Sequence, residues 1–217
     1  KLTRAFSSSN IPKVTLRYFD SRGRAQALRY ALVDAGVDFK DDRVSLSHVA
    51  SGNWFNMKST PSLTGPWGSL PVLDWGDLRV GQTEAIASLL FRELSALHLT
   101  SDPSEQRRVA AMDASVTSLA HQDLLVLCLQ LVNITATMQA SPGQAAESIE
   151  ANLANAVTQC KTRVLGIMPR LELMLATNGA AQTGRAAWMV GAAHPTVGDM
   201  FAWEALEVVA LVFGQEL

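Results

Sequence analysis

Cysteine is nearly absent from this sequence: among 217 residues only Cys128 and Cys160 occur. They lie far apart along the chain and show neither metal-ligand nor redox spacing. No disulfide framework is read here, and a reduced compartment is the simplest expectation. The four histidines, His48, His98, His121 and His194, form no ligand pair at helical spacing, so no metal site is expected. Basic excess is missing as well. A formal net charge of -2 offers no clustered positive face, and nucleic acid is not an expected partner. Apolar runs of about eighteen residues are absent, so no transmembrane segment is expected. What is present is globular material, 48% hydrophobic and 18% charged, enough to build a core in one large domain or two small ones.

Acidic residues are also missing from the first ten positions. KLTRAFSSSN, Lys1 to Asn10, is basic and Ser-rich, the composition of an organelle presequence, and R-A-F-S-S resembles a mitochondrial processing site. An extension of a cytosolic protein has the same composition, so cytoplasmic and mitochondrial locations both stay open. Residues 1–12 are read as an extension or presequence remnant, and without an initiator Met the true start is expected to lie outside this sequence.

Lys13 to Phe19, KVTLRYF, alternates apolar and polar residues and predicts a strand. Leu28, Ala31, Leu32 and Ala35 then fall at helical spacing, with Gly36 as the stop. VDFKDDRV predicts a weaker strand. Ser45 to Ser69, with its prolines and glycines, reads as loop. LPVLDW, a turn at Trp75-Gly76-Asp77, and LRV read as a β-hairpin, and Ile86, Leu89, Leu90 and Leu94 mark a helix starting near Thr83. Asp102-Pro103-Ser104-Glu105 is a helix start with N-cap, first-position proline and acidic third residue. The helix it opens should run into the 130s and break at Ser141-Pro142-Gly143. A second long helix covers Glu147 to Lys161 and beyond, Pro169 should start or kink the next, and Thr196 to Asp199 caps a last apolar helix. Residues 13–94 therefore predict a thioredoxin-like α/β domain, and residues 102–217 an all-α domain with no strand.

Four blocks carry a family resemblance. YFDSRGRAQALRY, Tyr18 to Tyr30, resembles the first strand and helix of the tyrosine-type glutathione transferases. The sigma class, which includes the glutathione-dependent prostaglandin D synthases, is the nearest pattern. The resemblance implies that Tyr18 donates a hydrogen bond to the glutathione sulfur and that Arg24 supports it. It implies further that Trp54 and Lys58 hold the glycine carboxylate, that Leu70 pairs through its backbone with the cysteinyl part beside a cis Pro71, and that Gln82 and Thr83 hold the γ-glutamyl carboxylate. PRLELML, WMVG and PTVGDMFAWEAL resemble helical-domain landmarks in their usual order. Glutathione is then the implied co-substrate and a hydrophobic electrophile its partner. A homodimer, or membership of a larger complex, is the implied assembly, and detoxification the implied role.

The chemistry suits these residue types. A free thiol has a pKa near ~8.5, and lowering it by about two units requires roughly 2.7 kcal/mol of extra thiolate stabilisation. A phenol, a guanidinium and a helix N-terminus can each supply part of that.

The pattern also departs from the family. Ser69 stands where a polar amide or lysine is usual, and the stretch from Lys58 to Pro71 looks long. Thr117 stands where relatives place an acidic residue that reaches the glutathione amine across a dimer, with Asp113 one turn earlier. The sequence ends at Leu217, where the family continues with further helices, so an incomplete helical domain is expected. These departures carry the alternative expectation, a non-catalytic subunit that uses the same fold as a docking module in a larger assembly.

Overall fold

The computed structural model describes residues 12–95, 102–139, 146–179, 188–192 and 194–214. The presequence-like Lys1 to Asn10 segment and the Ser141-Pro142-Gly143 break lie outside them. The chain divides into two compact units, Lys1–Gln106 and Arg107–Leu217.

The first unit is built on four strands: β1 (Val14–Phe19), β2 (Phe39–Val44), β3 (Val72–Trp75) and β4 (Leu78–Gly81). Helix α1 (Gln26–Asp34) follows a 3₁₀ turn at Gly23–Ala25 and carries the chain from β1 to β2. Spatial order is β2-β1-β3-β4, with β1 parallel to β2 and antiparallel to β3. This mixed sheet, with α1 between β1 and β2 and helix α5 (Thr83–Ser95) after β4, is the thioredoxin-like arrangement. Because β1 is an interior strand, Val14, Leu16 and Tyr18 are all buried along one face. Leu28 and Leu32 of α1 and Ile86 and Leu90 of α5 are fully buried in the same unit.

Between β2 and β3 the sequence reads as loop, but the chain forms three single helical turns, α2 (Ser47–Ala50), α3 (Trp54–Met57) and α4 (Pro61–Thr64). Local hydrogen bonding explains the difference. The buried Thr64 donates its hydroxyl to the Lys58 carbonyl at 2.6 Å, closing a compact segment that propensity alone would leave open. Arg17 fastens this segment to the sheet, bonding Asp42 at 2.7 Å and the Leu63 carbonyl at 3.4 Å. Burial alone would raise the Asp42 carboxyl, but hydrogen bonds from Arg17 and Lys40 outweigh it and hold that carboxyl below the usual range.

Among its described residues the second unit has helices, turns and no strand. Helix α6 (Pro103–Ser118) opens as expected, with the Asp102 carboxylate accepting the Ser104 N–H at 2.9 Å. The helix then widens into a π segment at Leu119–Leu125 before continuing as α7 (Val126–Gln139), a feature no periodicity signalled. Of the 31-residue stretch Pro103–Asn133, the most apolar window is half buried within the protein, as a core helix is. Helix α8 (Ala146–Gly179) passes through Pro169 without ending, so no new helix starts there. Proline removes one backbone donor there, yet Cys160, Val164, Ile167 and Leu171 form a buried stripe on both sides of it. That packing holds the helix together. Helix α9 (Val197–Phe213) closes the unit and buries Phe201, Ala205, Val209 and Phe213.

α9 begins at a carboxylate pair. Asp199 accepts the Thr196 N–H at 2.9 Å, the Thr196 hydroxyl at 3.0 Å and the Met189 N–H at 2.7 Å. Asp113, from α6, accepts the Gly198 N–H at 2.6 Å. A Cβ on Gly198 would lie 2.8 Å from the Asp113 carbonyl, so only glycine permits this approach.

Cys128 and Cys160, distant in sequence, meet between α7 and α8, where their thiols hydrogen-bond to each other. Burial pushes the Cys128 thiol up to about 12 and also raises Cys160. Thiolate is the reactive form, so a thiol reagent is expected to label neither cysteine in the native protein and both after unfolding. Stoichiometric labelling of the folded chain at neutral pH would contradict this packing.

Candidate functional site

The strand register gathers the candidate residues at one end of the sheet. Arg17 of β1 faces Val72 of β3, and Val72 faces Gly81 of β4. One step further along each strand come Tyr18, Pro71 and Gln82. The ladder stops where proline has no N–H to give, and all three residues stand at the same edge. The Leu70–Pro71 peptide bond is cis, as the sequence predicts. Gln82 has φ 71, the left-handed region, and among the described residues it is the one non-glycine there. Such a conformation costs on the order of 1 kcal/mol or more and tends to cluster at functional sites. Thr83, next to it, is buried at the first position of α5, and the Gln82 carbonyl accepts the Ile86 N–H at 3.0 Å.

Tyr18 itself is 8% exposed. Its hydroxyl oxygen accepts the backbone N–H of Arg24 at 3.1 Å. A phenol that accepts from a backbone amide keeps its own proton for donation. Gly23 lies against that hydroxyl: a Cβ there would stand 2.6 Å from the oxygen, and the residue has φ +42. The turn after β1 is thus shaped around the Tyr18 hydroxyl.

Arg24 meets Tyr18 through its backbone, while its side chain is exposed. The buried guanidinium behind Tyr18 belongs instead to Arg29, which sequence reasoning passed over as part of the helix. Its carbon lies 6.0 Å from the Tyr18 ring centroid. An arginine one turn into an amphipathic helix gives no local sign of burial, because its anchor, Asp41, comes from β2.

Trp54 reaches this edge through Phe19. The two rings meet edge-on with centroids 4.8 Å apart, and Phe19 contacts the Tyr18 ring at 5.4 Å. Lys58 is half-buried, with its ammonium 5.2 Å from the Phe55 ring centroid. Its carbonyl lies 3.8 Å from where a Cβ on Gly68 would stand, so the Lys58 turn abuts the segment leading to Ser69, Leu70 and Pro71. Tyr18, Trp54, Leu70, Pro71, Gln82 and Thr83 therefore converge on the carboxyl end of β1, with Lys58 on the adjoining loop. That is where an open α/β sheet presents ligands to helix N-termini.

Thr117 and Asp113 belong to the second unit. Both are buried inside the helical unit, at 4% and 3% exposure. The Thr117 hydroxyl has no hydrogen-bond partner among the described residues, and Asp113 is committed to the start of α9.

A four-stranded β2-β1-β3-β4 sheet with a tyrosine at the end of β1, a cis proline entering β3 and an all-helical second unit define the glutathione-transferase fold. The solved structures agree. A glutathione S-transferase from Ascaris lumbricoides superposes with a TM-score of 0.63 at 23% identity, covering 93% of this chain and 82% of that one. A sigma class enzyme from Fasciola hepatica gives 0.59 at 22%, covering 94% and 82%. Among curated proteins, the chain is 38% identical to S-crystallin 2 of Enteroctopus dofleini over 84 residues, 38% of this chain and 35% of that one. It is 33% identical to the hematopoietic prostaglandin D synthase of Gallus gallus over 109 residues, 50% of this chain and 48% of that one. The matches thus span about half or less of these relatives. No family model matches the chain. The protein is glutathione-transferase-like in fold and in sequence.

Proposed function

We propose that the chain binds glutathione at the carboxyl end of β1 and activates its thiol as a thiolate for attack on a hydrophobic electrophile, or for glutathione-dependent isomerisation. The observation that carries this reading is the Tyr18 hydroxyl. It is held by the Arg24 N–H at 3.1 Å and shaped by Gly23, with its own proton left to give. In this reading the sulfur accepts that proton's hydrogen bond. Lys58 with Trp54 takes the glycine carboxylate, the Leu70 backbone beside Pro71 pairs with the cysteinyl peptide, and Gln82 with Thr83 takes the γ-glutamyl carboxylate at the α5 N-terminus. Each contact restates a general preference: a cation for a carboxylate, an extended edge for a peptide, a helix start for an anion. The similarity to glutathione transferases and prostaglandin D synthases supports the same chemistry.

The test is a conjugation assay with glutathione and an aryl chloride electrophile, with retention on immobilised glutathione measured alongside. Binding with turnover supports the reading, and the absence of both refutes it. Lys58→Ala is expected to weaken glutathione binding by about 1.5–3 kcal/mol, the usual worth of a charge-assisted hydrogen bond, measurable by calorimetry. An unchanged affinity would remove Lys58 from the site.

A further inference from the structure

We propose that Arg29 is the positioning residue that sets the acidity of the thiol bound at Tyr18, an inference that rests on the glutathione reading above. Arg29 is 5% exposed and donates from all three nitrogens of its planar fork. Nε donates to both Asp41 carboxylate oxygens at 3.1 Å. Nη1 donates to the Ser21 carbonyl at 2.8 Å, to Gln26 Oε1 at 3.3 Å and to the Arg22 carbonyl at 3.5 Å, and Nη2 donates to the Phe19 carbonyl at 3.4 Å. One side chain thus gathers three carbonyls of the turn between β1 and α1.

Two consequences follow from this geometry. The C=O and N–H of a peptide unit point in opposite directions. With the Ser21 and Arg22 carbonyls aimed at Arg29, the Arg22 and Gly23 N–H groups face away from it, which fixes the peptide units leading into Gly23, one residue before the Arg24 N–H that meets the Tyr18 hydroxyl. The charge also stands 6.0 Å from the Tyr18 ring centroid. Asp41 also accepts from Arg43 at 2.8 Å, and Arg43 reaches Asp20 at 2.9 Å, so the four groups balance and it is nearness to the Tyr18 ring that singles out Arg29. A guanidinium behind the phenol strengthens the hydroxyl as a donor, and a fixed turn holds that donor in one place.

Arg29→Gln tests this, with the thiolate band of bound glutathione followed by difference ultraviolet absorbance against pH. The thiol pKa is expected to rise by about one unit, a roughly tenfold fall in thiolate well below the pKa. kcat should fall with it, while KM for glutathione and affinity for S-methylglutathione stay within about twofold, a split that loss of structure would not give. The shift should exceed that of Arg24→Gln. Arg29→Lys keeps a cation but not the fork, and should shift the pKa by about half as much. If Arg29→Gln does not fold, Arg29→Lys decides alone, and a pKa equal to wild type overturns the proposal. A folded Arg29→Gln with unaltered thiol pKa, or a larger shift in Arg24→Gln, also overturns it. Failure of the wild-type chain to bind S-methylglutathione would instead bring down the glutathione reading itself, and this inference with it.

Discussion

Tyr18→Phe is expected to leave glutathione affinity and stability nearly unchanged while turnover near neutral pH falls by roughly ten- to over a hundredfold. The substitution keeps the ring, and so its edge contact with Phe19 at 5.4 Å and its place beneath Arg29. It deletes the hydroxyl alone. The folded state loses one hydrogen bond, from the Arg24 N–H at 3.1 Å, worth about 0.5–1.5 kcal/mol. A bound thiolate loses its donor, worth ~1.4–3 kcal/mol, so the thiol pKa rises and the rate follows in part. The sign is specific: the deficit should shrink at high pH, where glutathione ionises unaided. Wild-type activity matched by the Phe variant at every pH would show that Tyr18 is not the sulfur partner, and the hydroxyl of Ser21 in the same turn would be the next candidate.

The second large effect lies in the helical unit and concerns stability. Burial pushes the Asp113 carboxyl up to about 6. The Gly198 N–H and the Thr196 hydroxyl pull the other way, and the nearby Asp199 charge adds to the rise. Burial raises Asp199 in the same direction. A carboxyl with a raised folded pKa binds its proton more tightly in the native state than in the unfolded chain, where Asp titrates near ~3.9. Its stabilisation is therefore full below about pH 4 and is lost as pH rises through about 6. A rise of about two units corresponds to roughly 3 kcal/mol. Asp113→Asn keeps an acceptor for Gly198 but cannot ionise. Relative to wild type it should gain up to about 3 kcal/mol between pH 4 and pH 7, measured by denaturant unfolding across that range. Paired carboxylates such as Asp42 titrate with the opposite sign, so only the difference between the two proteins isolates Asp113. A constant difference across the range would show that Asp113 titrates normally.

Much of the site was legible because it depends on short-range patterns. The alternation of KVTLRYF fixes which residues of β1 face inward, Leu-Pro before VLDW marks the entry to β3, and Gln-Thr before an apolar helical face marks the start of α5. The register then brings Tyr18, Pro71 and Gln82 to one edge with no further information. Contacts between distant segments were not legible. Arg29 differs from Arg24 through buried partners, Asp41 on β2 and the carbonyls at the end of β1, that only the folded chain brings to it. Asp113 is identified as the acceptor of the Gly198 N–H only once α6 and α9 are packed, across 85 residues of chain. The two thiols meet only when α7 and α8 lie together. The π segment and the passage of α8 through Pro169 are cases where packing of a buried face outweighs local propensity. The single turns between β2 and β3 were missed because proline and glycine signal punctuation without showing that Thr64 will close the segment from within.

Whether this sheet edge holds glutathione and ionises its sulfur is decided by titrating glutathione into the purified chain, with heat and the thiolate absorbance band recorded together. Saturable binding is expected, with a thiolate band at a pH one to two units below the free thiol's ~8.5 that is lost in Tyr18→Phe while the heat of binding persists. Saturable binding with the sulfur protonated as in free glutathione, or no heat at all, would contradict the glutathione reading.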